Sequence, residues 1–259
     1  MKFTHLLLLA ALWFPGVALG QARENPYDVL SKVLMPFVGV LAASGKSPNR
    51  AVTLTLRLER VTQMPPELAG ARAEIAFEAP DKLRVHGPVL GEELTICRNG
   101  QELWAHPRSK VEPLFAAAIA SKKLPRADPK FRLEPFRLPI PEKQLVFLPI
   151  LFQVRDAGTE MIDGEACRVL DLAPMAELAR STKFTDWSGR LWVRKDYRPA
   201  RLEVSQPGMD LAVRIEDAQF APKLPESTWQ PAAEQAGDVL ELTPVRYQQL
   251  LKAFAGDKD

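Results

Sequence analysis

Two histidines, two cysteines and a scatter of carboxylates are the groups in the body of this chain that could do chemistry. His86 and His106 flank Cys97 in sequence, the nearest approach to a metal-ligand set, but neither lies in an HExxH run or a triad-like context. The chain has no nucleophile elbow, phosphate loop or dinucleotide fingerprint. Catalytic residues, metal ligands and cofactor-binding residues are accordingly read as none. Both histidines read as ordinary strand residues. Asp and Glu fall mostly at alternating polar positions, where a solvated sheet face is the simplest account.

The elements that would position these groups are strands. From Ala71 to His106 the alternation of Ala71, Ala73, Ile75 and Phe77 with Arg72, Glu74 and Glu78 has period 2, which excludes an amphipathic helix. Leu83 and Val85 resume it, Gly87-Pro88 with Gly91 suggests a reversal, and Leu94 and Ile96 follow. Asn99-Gly100 predicts a type I′ hairpin turn, as does Asp163-Gly164 between Thr159–Ile162 and Glu165–Leu172. Arg50–Arg60 precedes this block, and Ser188–Arg194, Arg201–Ser205 and Met209–Asp217 complete a meander of about nine strands. Four helices are expected: Asn25 to Ser44 with an apolar face from Val29 to Leu41, short ones within Val111–Lys123 and at Pro174–Arg180, and a terminal one at Pro244–Phe254. So much one-sided apolar surface must be covered, which makes the fold class α+β, mainly β: a curved antiparallel half-barrel sheet under helices.

Phe77-Glu78-Ala79-Pro80-Asp81-Lys82-Leu83-Arg84, followed by Asn99-Gly100-Gln101-Glu102-Leu103-Trp104, resembles the LolA family of lipoprotein carriers. Gly189-Arg190-Leu191-Trp192-Val193-Arg194-Lys195-Asp196-Tyr197-Arg198-Pro199-Ala200-Arg201-Leu202-Glu203 is similar to paired strands late in that LolA/LolB-like fold, and the resemblance runs from Asn49 to Pro231. It implies a hydrophobic cavity for lipid or lipoprotein acyl chains. Alternation assigns to the concave face Leu54, Leu56, Ile75, Phe77, Leu83, Val85, Leu94, Ile96, Leu191, Val193, Leu202, Val204, Leu211 and Val213. Carriers of the family have a basic residue before the proline matched by Pro80; this chain has Ala79.

Residues 1–20, with Lys2, an apolar run from Leu6 to Phe14 and small residues at Ala18 and Gly20, read as a cleavable secretory signal. The run is shorter than the ~20 residues that span a bilayer. Residues 21–259 are then one periplasmic domain with no transmembrane segment. An oxidising compartment favours a Cys97–Cys167 bridge. Pairing in sequence order, however, leaves at least one strand between them, about 9–10 Å against a limit of ~7 Å, so buried free thiols are expected. A formal net charge of +2 lacks the basic excess of a nucleic-acid partner. Segment 111–154 reads as a lid: a short helix from Val111, a basic proline-punctuated stretch, then the apolar cluster Leu145, Phe147, Leu148, Leu151 and Phe152. The basic stretch Lys122–Lys143 carries a second reading, a sensor or interaction module docking an acidic envelope protein partner.

Overall fold

The structure is a computed structural model that describes residues 23–42, 48–62, 68–89, 92–120, 128–136, 147–176 and 186–248. The proposed signal, residues 1–20, lies outside them, as do Leu145 and most of the basic stretch. The first helix, α1 (Pro26–Leu41), starts where Asn25 accepts a hydrogen bond from the Tyr27 N–H, with Pro26 in the first turn, where its missing N–H costs nothing. Strands β1 (Ala51–Val61), β2 (Arg72–Glu78), β3 (Lys82–Val89), β4 (Glu92–Asn99) and β5 (Glu102–His106) form one meander, and helix α2 (Arg108–Ala120) follows. A second meander runs through β6 (Phe152–Ile162), β7 (Glu165–Pro174), β8 (Ser188–Val193), β9 (Pro199–Gln206) and β10 (Met209–Ala221); β11 (Leu240–Leu242) comes last. No helix among the described residues is long and apolar enough to cross a membrane.

All the strands join one open antiparallel sheet of eleven, ordered β11-β5-β4-β3-β2-β1-β10-β9-β8-β7-β6. The two meanders therefore meet at a central β1·β10 seam. The mainly β class and the open sheet under helices are as the sequence predicts, but the count of about nine is corrected. One added strand is the short β11, which pairs with β5. Another difference is that β6 begins at Phe152 rather than Thr159. A register shift between Asp156 and Gly158 inserts an extra residue, which breaks the period-2 pattern and hides the first half of the strand. Pro174, expected to open a short helix, ends β7 instead; residue 176 is helical, and residues 177–180 of the expected helix lie outside the described residues. Of the terminal helix, residues 244–248 are helical and the remainder lies outside the described residues.

Turns account for two further differences. Asp163 and Gly164 both have positive φ, 51° and 79°, as a type I′ turn demands. At the other hairpin Asn99 pairs with Glu102, so the turn is Gly100-Gln101 and only Gly100 has positive φ. A single positive φ at the first central residue suits a II′ turn, which places the loop one residue later than Asn99-Gly100. Gly87-Pro88 makes no reversal. β3 runs through it, and a Cβ on Gly87 would stand 2.8 Å from the Arg72 carbonyl oxygen, so only glycine lets β3 and β2 approach there.

Candidate functional site

The cross-strand registers place every proposed cavity residue on one face, the face that carries the helices. Leu54, Ile75, Val85, Ile96 and Ala105 stand opposite one another in adjacent strands, and Leu58, Val213, Leu202, Leu191 and Leu170 do the same in the other half. Burial divides this face into three. Over β6–β9, α1 packs Val29, Leu30 and Val33 onto Val154, Leu170, Leu191 and Val193, a closed core. Over β4, β5 and β11, α2 packs Val111 onto Leu94, Ala105 and Leu240. Leu94, Leu191 and Val193 are thus filled core rather than cavity wall.

Between the helices the strip on β4, β3, β2, β1 and β10 is only half covered. Leu54, Leu56, Ile75, Leu83, Val85, Leu211 and Val213 are half-buried, and Ile96 is 37% exposed. Four strand spacings make the strip about 19 Å wide. Aromatic pairs bound it where β2 turns into β3: Phe37 of α1 meets Phe220 edge-on at 4.9 Å, and Phe77 meets Phe136 at 5.6 Å.

Phe136 belongs to a strap, residues 131–136, held across that end of the strip. Its N–H donates to the Pro80 carbonyl at 2.8 Å. Gln101 donates to and accepts from the Leu133 backbone, 2.9 Å each way, and Leu133 is buried. Arg98 completes the clasp: Nη2 donates to the Glu134 carbonyl at 2.7 Å, Nε donates to the Gly100 carbonyl at 3.0 Å, and the guanidinium lies 4.5 Å from the Phe136 ring centroid. Desolvation here pulls the Arg98 pKa below its ordinary value, partly offset by the Asp81 charge. The sequence reading passed over Arg98, although Leu94-x-Ile96-x-Arg98 puts it on the apolar face, where an arginine needs a partner.

Among the described residues, Phe147, Leu151 and Phe152 do not gather as a cover. Phe147 is 56% exposed at the head of a 3-10 turn, Leu148–Leu151, in which Leu151 is half-buried. The Leu148 side chain lies outside the description. Phe152 is a sheet residue, because its alternation with Val154 sends it under α1. Among the described residues of 111–154, the strap reaches over the strip.

The titratable groups weighed as chemistry lie on the opposite, outer face. His86, Thr95 and His106 are cross-strand neighbours, and His86 Nδ1 is 3.0 Å from the Thr95 hydroxyl. Among the described residues no group of three or more His, Cys, Asp or Glu is placed to hold a metal. Cys97 and Cys167 are free and buried. Six strands separate theirs, beyond the minimum of one that sequential pairing set, because β4 and β7 belong to different meanders. Burial pushes the Cys97 thiol up to about 11, against a smaller opposing effect of Arg84. Beside these groups, two glutamates at register shifts in the β1·β10 pairing organise the outer arginines. Glu59 pairs with Arg201 at 2.6 Å and with Arg214, while Glu216 pairs with Arg72 at 3.0 Å and with Arg57. Arg72, Arg57, Arg214 and Arg201 are directly opposite one another, an arrangement that would repel without those carboxylates.

Among solved structures, this chain is similar to LolA-superfamily proteins and to MucB. The MucA/MucB complex of Pseudomonas aeruginosa matches at 14% identity and a TM-score of 0.41, over 80% of this chain and 62% of that one. The lipoprotein LppX of Mycobacterium tuberculosis matches at 12% identity and a TM-score of 0.37, over 74% of this chain and 97% of that one. A LolA superfamily protein from Nitrosomonas europaea matches at 14% identity and a TM-score of 0.27, over 80% of this chain and 98% of that one. The chain spans less than two thirds of the MucB chain it matches. No family model matches the chain, and no curated protein does.

Proposed function

We propose that this protein is a non-enzymatic periplasmic carrier that holds a lipid or lipoprotein acyl chain on the strip between α1 and α2. The half-exposed apolar strip carries the reading: Ile96 and its cross-strand neighbours Val85 and Ile75 present branched side chains that nothing described covers fully. Each methylene laid against them gains about 0.8 kcal/mol, so roughly ten contribute about 8 kcal/mol before the cost of ordering the chain. The strap at 131–136 closes one end, and Arg98 supports it from the same face as the cargo. Native mass spectrometry of the protein purified under non-delipidating conditions tests this. Co-purifying lipid, or saturable uptake of an added fatty acid or lipopeptide, is the expected result; ligand-free protein that ignores both removes the proposal.

A second reading, a module that recognises a protein partner, is favoured by Lys130 and Arg132. Both are exposed, Lys130 just before the strap and Arg132 within it, and neither has a carboxylate partner among the described residues.

A further inference from the structure

We propose that the outer face carries a separate binding groove, which takes an extended acidic segment of a partner protein. The groove has a volume of about 490 Å³ and lies on the side of the sheet away from the acyl strip, so it does not depend on the carrier reading. Its floor is the backbone of Leu172, Gly189 and Val204. Along one wall the registers set up a row of alternating charge across the strands: Arg155, Asp171, Arg190, Glu203 and, beyond Ala212, Arg60. Gln153, Ser188 and Ser205 form the other wall, uncharged and rich in hydrogen-bonding groups.

Three guanidiniums thus face two carboxylates, and the carboxylates are already engaged. Asp171 holds Arg190 at 2.8 Å, and Glu160, outside the lining, lies 4.0 Å from the same guanidinium, so Arg190 is the least available of the three. Glu203 is gripped by Arg201 at 2.7 Å, which leaves Arg60 a looser contact at 3.5 Å. Arg155 is exposed and has no hydrogen-bond or ion-pair partner among the described residues. The surplus positive charge sits mainly at the two ends of the row, on side chains with unclaimed donors.

Spacing selects the ligand. Arg155 and Arg190 are two strands apart and Arg190 and Arg60 three, about 10 and 14 Å at ~4.8 Å per strand. A single phosphate or acetate reaches one arginine only, and one exposed ion pair gains little in water. An extended peptide crossing the strands rises ~3.3 Å per residue with side chains alternating between its two faces, so acidic side chains at i, i+4 and i+8 share one face and come within about 2 Å of the three arginine positions. Bidentate carboxylate recognition is what the guanidinium fork suits. Among the described residues no aromatic side chain lines the groove to stack on a sugar ring, which favours a peptide over an anionic polysaccharide.

Fluorescence anisotropy on the full chain tests this with a labelled synthetic peptide bearing glutamates at i, i+4 and i+8 in an alanine/serine background. The expected result is saturable binding at low ionic strength that weakens as salt is added. Gln replacements in the peptide should abolish it, while contiguous glutamates or the Arg155→Glu protein should weaken it at least ~10-fold. Arg60→Glu should act in the same direction, with unchanged circular dichroism showing that both variants fold. Failure of the spaced peptide to bind, equal binding of every acidic peptide, or indifference to both charge reversals overturns the proposal. Tighter, Arg155-dependent binding of polygalacturonate would overturn the peptide assignment in favour of an anionic polysaccharide.

Discussion

Replacing Ile96 by aspartate separates cargo binding from folding. Fully burying an isoleucine side chain is worth about 1.5–3 kcal/mol. At 37% exposure Ile96 realises roughly two thirds of that, about 1–2 kcal/mol, so Ile96→Asp should cost the fold no more than about 2 kcal/mol. The carboxylate can keep its water only if the acyl chain stays away. Loss of about three methylene contacts at ~0.8 kcal/mol each amounts to ~2.4 kcal/mol, or roughly 50-fold in affinity. Leu170→Ala supplies the contrast: Leu170 is fully buried under α1, so its truncation should cost about 2–5 kcal/mol of stability and leave affinity unchanged in the folded fraction. Displacement of a fluorescent fatty acid gives the affinity, and urea unfolding of the same samples gives the stability. If Ile96→Asp binds like the parent, or if both variants lose binding only in proportion to unfolding, the strip is not the acyl site.

Arg98→Ala removes two charge-assisted hydrogen bonds and a cation–π contact from the strap, about 1–3 kcal/mol locally. Amide exchange at Leu133 and Phe136 should then speed up at least ~10-fold while β1 and β10 keep their protection; unchanged rates would mean that Arg98 does not hold the strap. With its thiol raised to about 11, Cys97 should resist alkylation in native protein at pH 8, where the thiolate is on the order of 0.1%; stoichiometric labelling within minutes would contradict the burial. Because the folded pKa of Cys97 lies above the ordinary value of 9.0, its contribution to stability is complete below pH 9 and is lost as pH rises to about 11. Cys97→Ala should abolish that part of the alkaline decline in the urea midpoint. Gly87→Ala should lower stability by about 1–3 kcal/mol through the clash with the Arg72 carbonyl, measured by the same unfolding assay, and a neutral outcome would show that β2 and β3 can separate there.

Alternation was enough to identify which residues share a face, because a strand's side-chain period is fixed by its own backbone. It could not say which strands are neighbours, and the β1·β10 pairing is a choice between strands that look alike along the chain. Nor could it separate a covered residue from a half-open one: Leu191 and Ile96 have the same pattern, and only the placement of α1 distinguishes them. Phe152 was misread because the irregularity at Asp156/Gly158 shifts the parity of β6. The role of Arg98 is not legible in the chain order, because the strap it holds lies more than thirty residues further on and meets β4 only in the folded sheet.

The central seam also governs when the sheet can become whole. A chain emerging amino terminus first delivers β1 to β5 as one unit, yet the second partner of β1 is the last long strand made. Until Met209–Ala221 appears, β1 is a bare eleven-residue edge with a greasy side, a template for pairing with other nascent copies. Ribosome-stalled or prematurely stopped chains that end before Met209 should therefore need a chaperone on that edge. Cutting the polypeptide in the 121–127 connection, by contrast, would yield two contiguous meanders, each carrying one half of the seam and able to recognise the other.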